Sequence, residues 1–520
     1  MRESAMFRLS SNKKQAVIDE AVKEIDQDFE ETPFTASLET NVALIKELFK
    51  DVDIIVTRYI ESTGPNSRRY CIIYTQGMID DNRINDNIIK PLLLSPPPES
   101  GKGVIKAFME KVIQIDDVEQ TDTVQSVVEA VSSGSTVLFT EDEKDVLILG
   151  TKKFISRAIT EPENERTLNG PREGFTEAMM TNLSMLRRRV RTNKLKIKFY
   201  TIGKRTKTQT CICYMDGIVN EKVLAELYKR LGKIDIDAVL DTNYISELIK
   251  DGPLSPFRTT GYTERPDTVI SRLLEGRIAL IVDGSPSVLT LPFLFIENFQ
   301  SSEDYYMNFY YTSFSRFLRI FGFILTLVVP GLYIAIVAYH HEMLPTQLLL
   351  NITVERQGAP LPASVEAFVM LIIFDILRET GVRMPSNIGQ ALSIVGALVI
   401  GQSAVEAKMV AAPMIIIVAL TGITNLLVPR LSGPVIYIRY FFLLAASMLG
   451  FYGLVLAMIS VVIHLLNLRS FGISQITASG NVRFQEVKDI AFRAPWWKMR
   501  LRPKKLTKNR TRLKMGGDSS

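Results

Sequence analysis

The chain has 520 residues, of which 47% are hydrophobic, and a formal net charge of +5. This length is enough for two or three domains with sizeable cores. The sequence contains only three Cys and three His, no CxxC pair, and no His beside a candidate nucleophile. We therefore expect no disulfide framework, no metal site, no cofactor and no catalytic residues, which excludes an enzyme.

The first half of the chain has the character of a soluble protein. Charged residues are frequent up to about residue 315, and no apolar run there reaches membrane length. Residues 1–30 carry Lys and Glu throughout and lack the apolar core of a signal peptide. We expect this half to remain in the cytosol.

The soluble half contains an internal repeat. The strand-like stretch RYCIIYTQG (69–77) resembles TCICYMDG (210–217), and Cys71, Tyr74 and Gly77 match residues 211, 214 and 217 at an offset of 140. Each stretch follows a helical segment and precedes a helix and a strand–turn–strand unit. The repeat predicts two related α/β subdomains.

The predicted fold class is an α/β soluble half with two related subdomains, followed by an α-helical transmembrane bundle. We expect four to six crossings, with re-entrant helices as an alternative to full spans. The predicted domains are a variable segment (1–40), subdomain 1 (41–165), a linker with subdomain 2 (166–310), the transmembrane domain (315–468) and a basic tail (469–520).

The first membrane segment, 320–339, has twenty residues without a charge, which matches a hydrocarbon core of roughly 30 Å. Pro330 and Gly331 lie at its middle and are hinge candidates, because this pair would kink or break a helix. Arg316 and Arg319 precede the segment, so the positive-inside rule predicts a cytosolic amino-terminal half.

The next two segments, 365–377 and 388–404, are short, and the first contains Glu366 and Asp375. Carboxylates in such segments indicate re-entrant or pathway-lining helices. The alternative is that both carboxylates lie at the membrane interface, paired with Arg378 or Arg383.

The segment 388–404 has one face of small and polar residues. At 100° per residue, this face contains Gln390, Ser393, Ala397, Gly401 and Ala404. The first four of these residues are pore-lining candidates. Glu366 is a fifth candidate. The same face also fits close helix packing of the small-xxx-small kind, so the two interpretations remain open.

The last two apolar segments are 410–428 and 435–466, and Gly450 or Gly453 is the expected break in the longer one. The tail from Arg469 has 13 Lys or Arg against three acidic residues, a net of +10, which leaves −5 for the rest of the chain. We expect this tail to bind anionic lipids on the cytosolic side rather than nucleic acid. Two cytosolic ends require an even number of crossings.

Many ordered motifs between about residues 35 and 500 resemble the spore germination receptor A-subunit family (GerA type). The motifs are GPREGFTE (170–177), EGRIALIVDGSP (275–286), FQSSEDYY (299–306), PGLY (330–333), HEMLP (341–345), PASVE (362–366), RETG (378–381), PSNIG (385–389) and RAPWW (493–497).

The resemblance implies a multi-pass subunit of the spore inner membrane that works with a transporter-like B subunit and a lipoprotein C subunit. It further implies that copies of the chain oligomerise into a nutrient-gated ion channel. Two alternatives are a non-conducting scaffold that relays a signal, and an accessory relative that is encoded with the dipicolinate-channel proteins. A secondary transporter is disfavoured because the membrane half shows no inverted repeat.

Overall fold

The structure is a computed structural model of the chain. The residues that it describes are 33–63, 67–94, 109, 112–153, 161–162, 165, 167, 169–383, 396, 399–476, 489–490, 492–503, 506–507, 509 and 511–512.

The chain divides into two compact units. The sheet unit comprises residues 1–249, 260–292 and 502–510, and the helical unit comprises 250–259, 293–501 and 511–520.

The first sheet of the sheet unit has five antiparallel strands in the order β1-β2-β4-β5-β3. Alternating or continuous apolar residues give these strands their buried faces. The strands are β1 (Ile55–Glu61), β2 (Arg69–Thr75), β3 (Val118–Thr121), β4 (Thr136–Thr140) and β5 (Val146–Leu149), with helices α1 (Leu38–Leu48), α2 (81–94, with one π-helical turn) and α3 (Val124–Ser132).

The second sheet has the same topology, β6-β7-β9-β10-β8, and it is antiparallel throughout. Its strands are β6 (Leu195–Ile202), β7 (Thr208–Met215), β8 (Gly261–Thr263), β9 (Ile278–Val282) and β10 (Val288–Leu291), with helices α4 (Met179–Arg189), α5 (Glu221–Leu231), α6 (Thr242–Ile249) and α7 (Pro266–Leu274).

The repeat seen in the sequence therefore falls on corresponding strands, β2 and β7. The two sheets are linked where Val52 forms a parallel bridge with Ile197, and apolar side chains from both subdomains share one core. Burial raises the pKa of the Cys71 thiol to about 12, so this strand cysteine stays protonated and inert at neutral pH.

A part of the basic tail also belongs to the sheet unit. Leu506 is buried, Thr507 Oγ1 donates a hydrogen bond to Ile218 O at 2.5 Å, and Arg502 Nε donates one to Leu274 O at 2.6 Å. These contacts place Arg502 and Thr507 against the loops that follow α7 and β7.

The helical unit is built mainly from five helices. They are α8 (Phe309–Tyr339), α9 (Thr346–Arg356), α10 (Ala363–Arg383), α11 (Ala412–Asn425) and α12 (Ser432–Asn467); residues 399–406 are also helical. Helices α8 and α12, the latter counted with its preceding turn from Pro429, are long and apolar enough to cross a membrane, and α11 is a shorter apolar helix.

Helix α12 is broken at Gly450, which has φ 60° and ψ −137°, a conformation that glycine adopts without a steric penalty. The two arms are so close that a Cβ on Gly453 would lie 2.0 Å from Ala445 O. Leu431 and Leu468, which flank the helix, pack in one apolar cluster. Helix α12 is therefore a hairpin, and of the two expected break points Gly450 is confirmed.

The hairpin defines two ends of the helical unit. At the base end, Arg430 donates to Glu297 O at 3.4 Å. At the far end, Tyr339 in the last turn of α8 donates to Ser447 O at 2.5 Å. Helix α8 thus runs from base to far end, and it continues through Pro330 as one helix.

Candidate functional site: buried charges of the helical unit

Glu366 lies in the first turn of α10 and is completely buried. Neither of its carboxylate oxygens has a hydrogen-bond partner among the described residues. A carboxylate in this position is costly, because desolvation disfavours its charge, and the nearby Arg356 charge and Ala411 backbone offset this cost only in part.

Two further buried polar groups share the surroundings of Glu366. They are the hydroxyl of Tyr333 on α8 and Nη1 of Arg356 at the end of α9, and the Arg356 side chain interacts with that hydroxyl. The Arg356 charge acts on both Tyr333 and Glu366. One acid, one cation and one hydroxyl therefore face a common region that is otherwise lined by apolar residues of α8, α10 and α11.

Asp375 forms a second buried centre, two turns further along α10. Its Oδ2 accepts from Arg439 Nη2 on α12 at 2.6 Å and from the Tyr440 hydroxyl at 2.8 Å. Arg439 is fully buried. Arg378 on the same helix donates to Ser432 Oγ at 2.6 Å. These contacts tie the base end of α10 to the first arm of α12.

A third charge cluster lies where α8 begins. Arg316 is fully buried and binds Asp304 and Asp489, each at 2.7 Å. Arg319 binds Asp304 at 2.9 Å, and the Tyr305 hydroxyl donates to Asp489 at 2.7 Å. The two arginines that predict membrane orientation in the sequence therefore anchor the start of α8 as well.

The structure places some of the predicted site residues and leaves others out. Gln390, Ser393 and Ala397 lie outside the described residues. Gly401 is buried, and a Cβ there would lie 3.6 Å from Ile415 Cγ2 on α11. This is an ordinary packing contact within the chain, and a pore-lining role for Gly401 and Glu366 stays a prediction.

The hinge candidates lie in the middle of α8. Pro330 and Gly331 are both buried. A Cβ on Gly331 would lie 3.0 Å from Leu454 Cδ1 and 3.3 Å from Phe442 O, so this glycine lets both arms of the α12 hairpin approach α8. Their role as a hinge stays a prediction.

The Asp375–Arg439 pair is a feature that sequence reasoning missed. The sequence shows Asp375 and Arg439 as the two charges farthest inside apolar runs, which is a usable signal for pairing. From the sequence, the expected partners of Asp375 are Arg378 and Arg383. In the structure Arg383 pairs with Glu379 at 2.7 Å on an exposed surface.

The sheet unit uses its buried charges differently. Arg265, which is 1% exposed, donates five hydrogen bonds, at 2.6–3.2 Å, to the acceptors Asp267 Oδ1 and Oδ2, Glu165 O, Thr167 Oγ1 and Pro171 O. Glu173 in the GPREGFTE motif accepts from Arg188 and Arg189. These contacts fix the segment before α4 as a structural linker.

No group of three or more metal-binding side chains occurs within the part of the chain that the structure describes. The buried charges of the helical unit are therefore its most distinctive chemical feature.

Comparison with known proteins identifies the family. Residues 43–505 match the family model described as Bacillus/Clostridium GerA spore germination protein. The chain belongs to the GerA family. This confirms the resemblance that the sequence motifs indicate.

Three relatives show how much of the chain this family membership covers. Spore germination protein KA of Bacillus subtilis (strain 168) is 40% identical over 484 residues, which span 93% of this chain and 89% of that protein. The uncharacterized membrane protein YfkQ of the same strain is 39% identical over 484 residues, 93% of each chain. Spore germination protein GerLA of Bacillus cereus is 33% identical over 446 residues, 85% of this GerA chain and 90% of its own length.

One solved structure is also similar. It is the crystal structure of the N-terminal domain of the A subunit of the Bacillus megaterium spore germinant receptor GerK3, which is 32% identical and has a TM-score of 0.41. The match covers 51% of this chain and 98% of the GerK3 domain.

Proposed function

We propose that this GerA-family chain is the A-type membrane subunit of a spore germinant receptor, and that copies of it form an ion channel that opens in response to a nutrient. The observation that supports conduction best is Glu366, which is completely buried with both oxygens unpartnered among the described residues. Ionisable groups inside a membrane bundle are rare, and they mark ion and proton pathways.

The proposed topology is multi-pass, with the amino-terminal half and the basic tail both in the cytosol. Helix α8 runs from base to far end, and the α12 hairpin adds two passes between the same ends. The Arg378–Ser432 bond puts the end of α10 at the base, and Leu427, just after α11, packs on Gly322 in the first half of α8. With one more pass through the predicted segment 388–404, of which the structure describes residues 396 and 399–404 as helical, the proposed number of crossings is six.

The remaining parts of the proposal concern partners. The subunit would reside in the spore inner membrane with a B subunit and a C subunit, because its relatives include a receptor A subunit by name. Arg316, Arg319 and the basic tail favour a cytosolic base end. Exposed lysines and arginines of the tail would bind anionic lipids.

The proposed pore is lined by Gln390, Ser393, Ala397 and Gly401, with Glu366 close to the ion path. Exposed apolar residues along α12, including Tyr437, Leu444 and Met448, are available to contact lipid or other copies. Oligomerisation would then be needed to close a pore around the helical units.

Ion flux from vesicles tests this function. The protein is reconstituted alone and with its B and C partners, and flux is recorded before and after nutrients are added. We expect nutrient-triggered flux that falls at least tenfold in Glu366→Gln and in Gly401→Leu. The matched control is Glu355→Gln, which removes an exposed carboxylate from the neighbouring helix α9 and should leave flux unchanged.

Two outcomes would contradict the proposal. Absence of flux from folded, oligomeric protein with both partners present would exclude a channel. Normal flux in correctly assembled Glu366→Gln and Gly401→Leu variants would remove these residues from the ion path.

A non-conducting scaffold is the second candidate, and the contact between Gly401 and Ile415 within one chain favours it. Under this alternative, Gly401→Leu would disturb assembly rather than flux. An accessory germination protein is the other alternative that the family resemblance leaves open, and such a protein would give no response to nutrient.

A further inference from the structure

Arg439 lies at the base half of the helical unit with most of its hydrogen-bonding capacity unused. The side chain is 0% exposed, and Nη2 donates to Asp375 Oδ2 at 2.6 Å. Its Nε and Nη1 have no acceptor among the described residues. A guanidinium carries five N–H donors, and leaving buried donors unpaired is costly.

Neighbouring side chains repeat this pattern. Nη1 of Arg378 and Oδ1 of Asp375 are also buried without a partner in the described ranges. The charge of Arg378 acts on that of Arg439 and on that of Asp375. One cluster therefore contains three unused donor atoms and one unused acceptor atom.

The charges of the cluster do not balance. Arg378 and Arg439 are positive and Asp375 is negative, while Glu379 and Arg383 cancel each other in an exposed pair. The adjoining sequence 384–398 contains no charged residue. Tyr440 and Ser432, the other polar contacts, are neutral. The cluster thus carries a net charge of +1, which a bound anion would neutralise beside the fully buried Arg439.

We propose that this cluster binds a small oxyanion that carries at least one O–H group, such as dihydrogen phosphate or hydrogen carbonate. The anionic oxygens would accept from Arg439 Nε and Nη1 and from Arg378 Nη1. The O–H group would donate to Asp375 Oδ1. Water could satisfy the same hydrogen bonds, but water would not neutralise the charge.

The aromatic surroundings favour a tightly enclosed anion. The Tyr440 ring lies over the Arg439 guanidinium, 5.2 Å from its carbon to the ring centroid. Phe368 stacks on Tyr440 at 6.0 Å between centroids. These rings exclude water from one side of the guanidinium, which strengthens its interaction with an anion.

Thermal unfolding of the full chain in neutral detergent tests the site. Ionic strength is held constant with a bulky sulfonate, and dihydrogen phosphate, hydrogen carbonate, acetate and chloride are titrated separately. A ligand that binds only the folded state raises Tm in a saturable manner. We expect a saturable rise of a few degrees with the two anions that carry O–H, and little with acetate or chloride.

Variants sharpen the assignment. Arg439→Lys keeps the charge but loses the planar donor pair, so the phosphate concentration at half-maximal shift should rise at least tenfold. Arg378→Gln should weaken the response in the same direction. Asp375→Asn should abolish the preference for anions that carry O–H. The matched control is the double variant Glu379→Gln with Arg383→Gln, which removes both members of the exposed pair on the same helix, keeps the net charge and should leave the titration unchanged.

Several results would overturn the proposal. One is the absence of any anion-specific shift in the wild-type chain. Another is an equal shift with all four anions, and a third is an unchanged phosphate titration in both Arg439→Lys and Arg378→Gln.

The source of the oxyanion is tested in nanodiscs. A phosphate response in phosphatidylcholine discs that persists in phosphatidylglycerol discs supports a site for a solute. A response that disappears in phosphatidylglycerol discs supports the same site with a lipid headgroup as its occupant.

Discussion

Arg265 in the sheet unit and Arg439 in the helical unit are both fully buried arginines that bind an aspartate, and they differ in how many of their other donors are used. Arg265 donates five hydrogen bonds, so all of its donors are used. Arg439 donates one hydrogen bond, to Asp375, and its other two nitrogen atoms have no acceptor within the described part of the chain. A buried arginine therefore has all of its donors bonded in the sheet unit, whereas a buried arginine of the helical unit has donors without an acceptor among the described residues.

This difference indicates what each unit is built to do. A fully bonded arginine fixes its neighbours in one arrangement, which suits a linker between two sheets. An arginine with unused donors in an apolar bundle either binds something further or shifts between partners. The buried arginine of the sheet unit is therefore fully used in structural bonds, whereas that of the helical unit is not within the described residues.

The largest expected effect is that of Arg265→Met on the sheet unit. The substitution removes five hydrogen bonds and leaves Asp267 without its buried cation, so we expect a loss of about 3–5 kcal/mol in the free energy of unfolding. Urea unfolding of the full chain, followed by circular dichroism, measures the change in the transition of the sheet unit.

Arg205→Met is the matched control for this substitution. The Arg205 side chain is 83% exposed, and it lies 3.7 Å from an exposed Asp237 carboxylate, so its loss should change stability by less than about 0.5 kcal/mol. Equal losses in the two variants would show that burial and bonding at Arg265 contribute nothing special.

A smaller effect is expected for Asp375→Asn in the helical unit. The change removes the negative charge beside two arginines, while an amide oxygen still accepts one hydrogen bond and Asp375 is 18% exposed. We expect a loss of about 2 kcal/mol, below the cost at Arg265. Thermal unfolding in detergent gives the corresponding fall in Tm.

Adding Arg439→Gln to Asp375→Asn tests the coupling between the two residues. Part of the lost stability should return, because the double variant removes the uncompensated charge as well. Glu379→Gln serves as the control, since Glu379 belongs to an exposed pair and should be nearly neutral. Additive losses in the double variant would contradict a direct ion pair.

Much of the sheet unit could be predicted from sequence, because its two copies report on one another. The matching strands around Cys71 and Cys211 fall on β2 and β7 as expected. A second repeat was missed. Asn41 exchanges side-chain hydrogen bonds with Thr35, and Asn182 does the same with Thr176.

The sequence contains a signal for this second repeat. In both copies a Phe-Thr pair is followed by an Asn, which lies six residues after the Thr. In each copy the Asn side-chain oxygen accepts a hydrogen bond from the Thr backbone N–H, and the Asn side-chain amide donates one to the Thr backbone carbonyl. The Thr precedes the helix that contains the Asn. The two copies of this pattern lie 141 residues apart, whereas the two matching strands lie 140 residues apart. The alignment that matches the strands therefore does not match this pattern.

The helical unit was harder to predict for a physical reason. Apolar runs show which segments are helices, but not the rotation of each helix or the partner of each charge. The pairing of Asp375 with Arg439 depends on how α10 packs against α12. Likewise, the fold-back at Gly450 was one of two options until the backbone conformation distinguished it from Gly453.

The smallest expected effect concerns the linker acid Glu173, which is about one-third exposed and is bound by Arg188 and Arg189. Burial raises the pKa of Glu173, but the hydrogen bonds from Arg189 and Arg188 and the charges of these arginines lower it by a larger amount. The pKa therefore lies below its ordinary value of 4.5. The unfolded chain therefore binds this proton first as pH falls. The stabilisation is present above about pH 4.5 and is lost at lower pH.

Because this ion pair is partly solvated, we expect it to contribute less than about 1 kcal/mol at neutral pH. Glu173→Gln should lower the free energy of unfolding by that amount at neutral pH, and the difference from the wild type should vanish in acid. Glu177→Gln, an exposed position in the same segment, should show no such convergence. A constant difference in the free energy of unfolding between Glu173→Gln and the wild type across the acid range would contradict this prediction. It would mean that Glu173 stabilises the linker through packing, as apolar core residues do, rather than through charge, as the ion pair at Arg265 does.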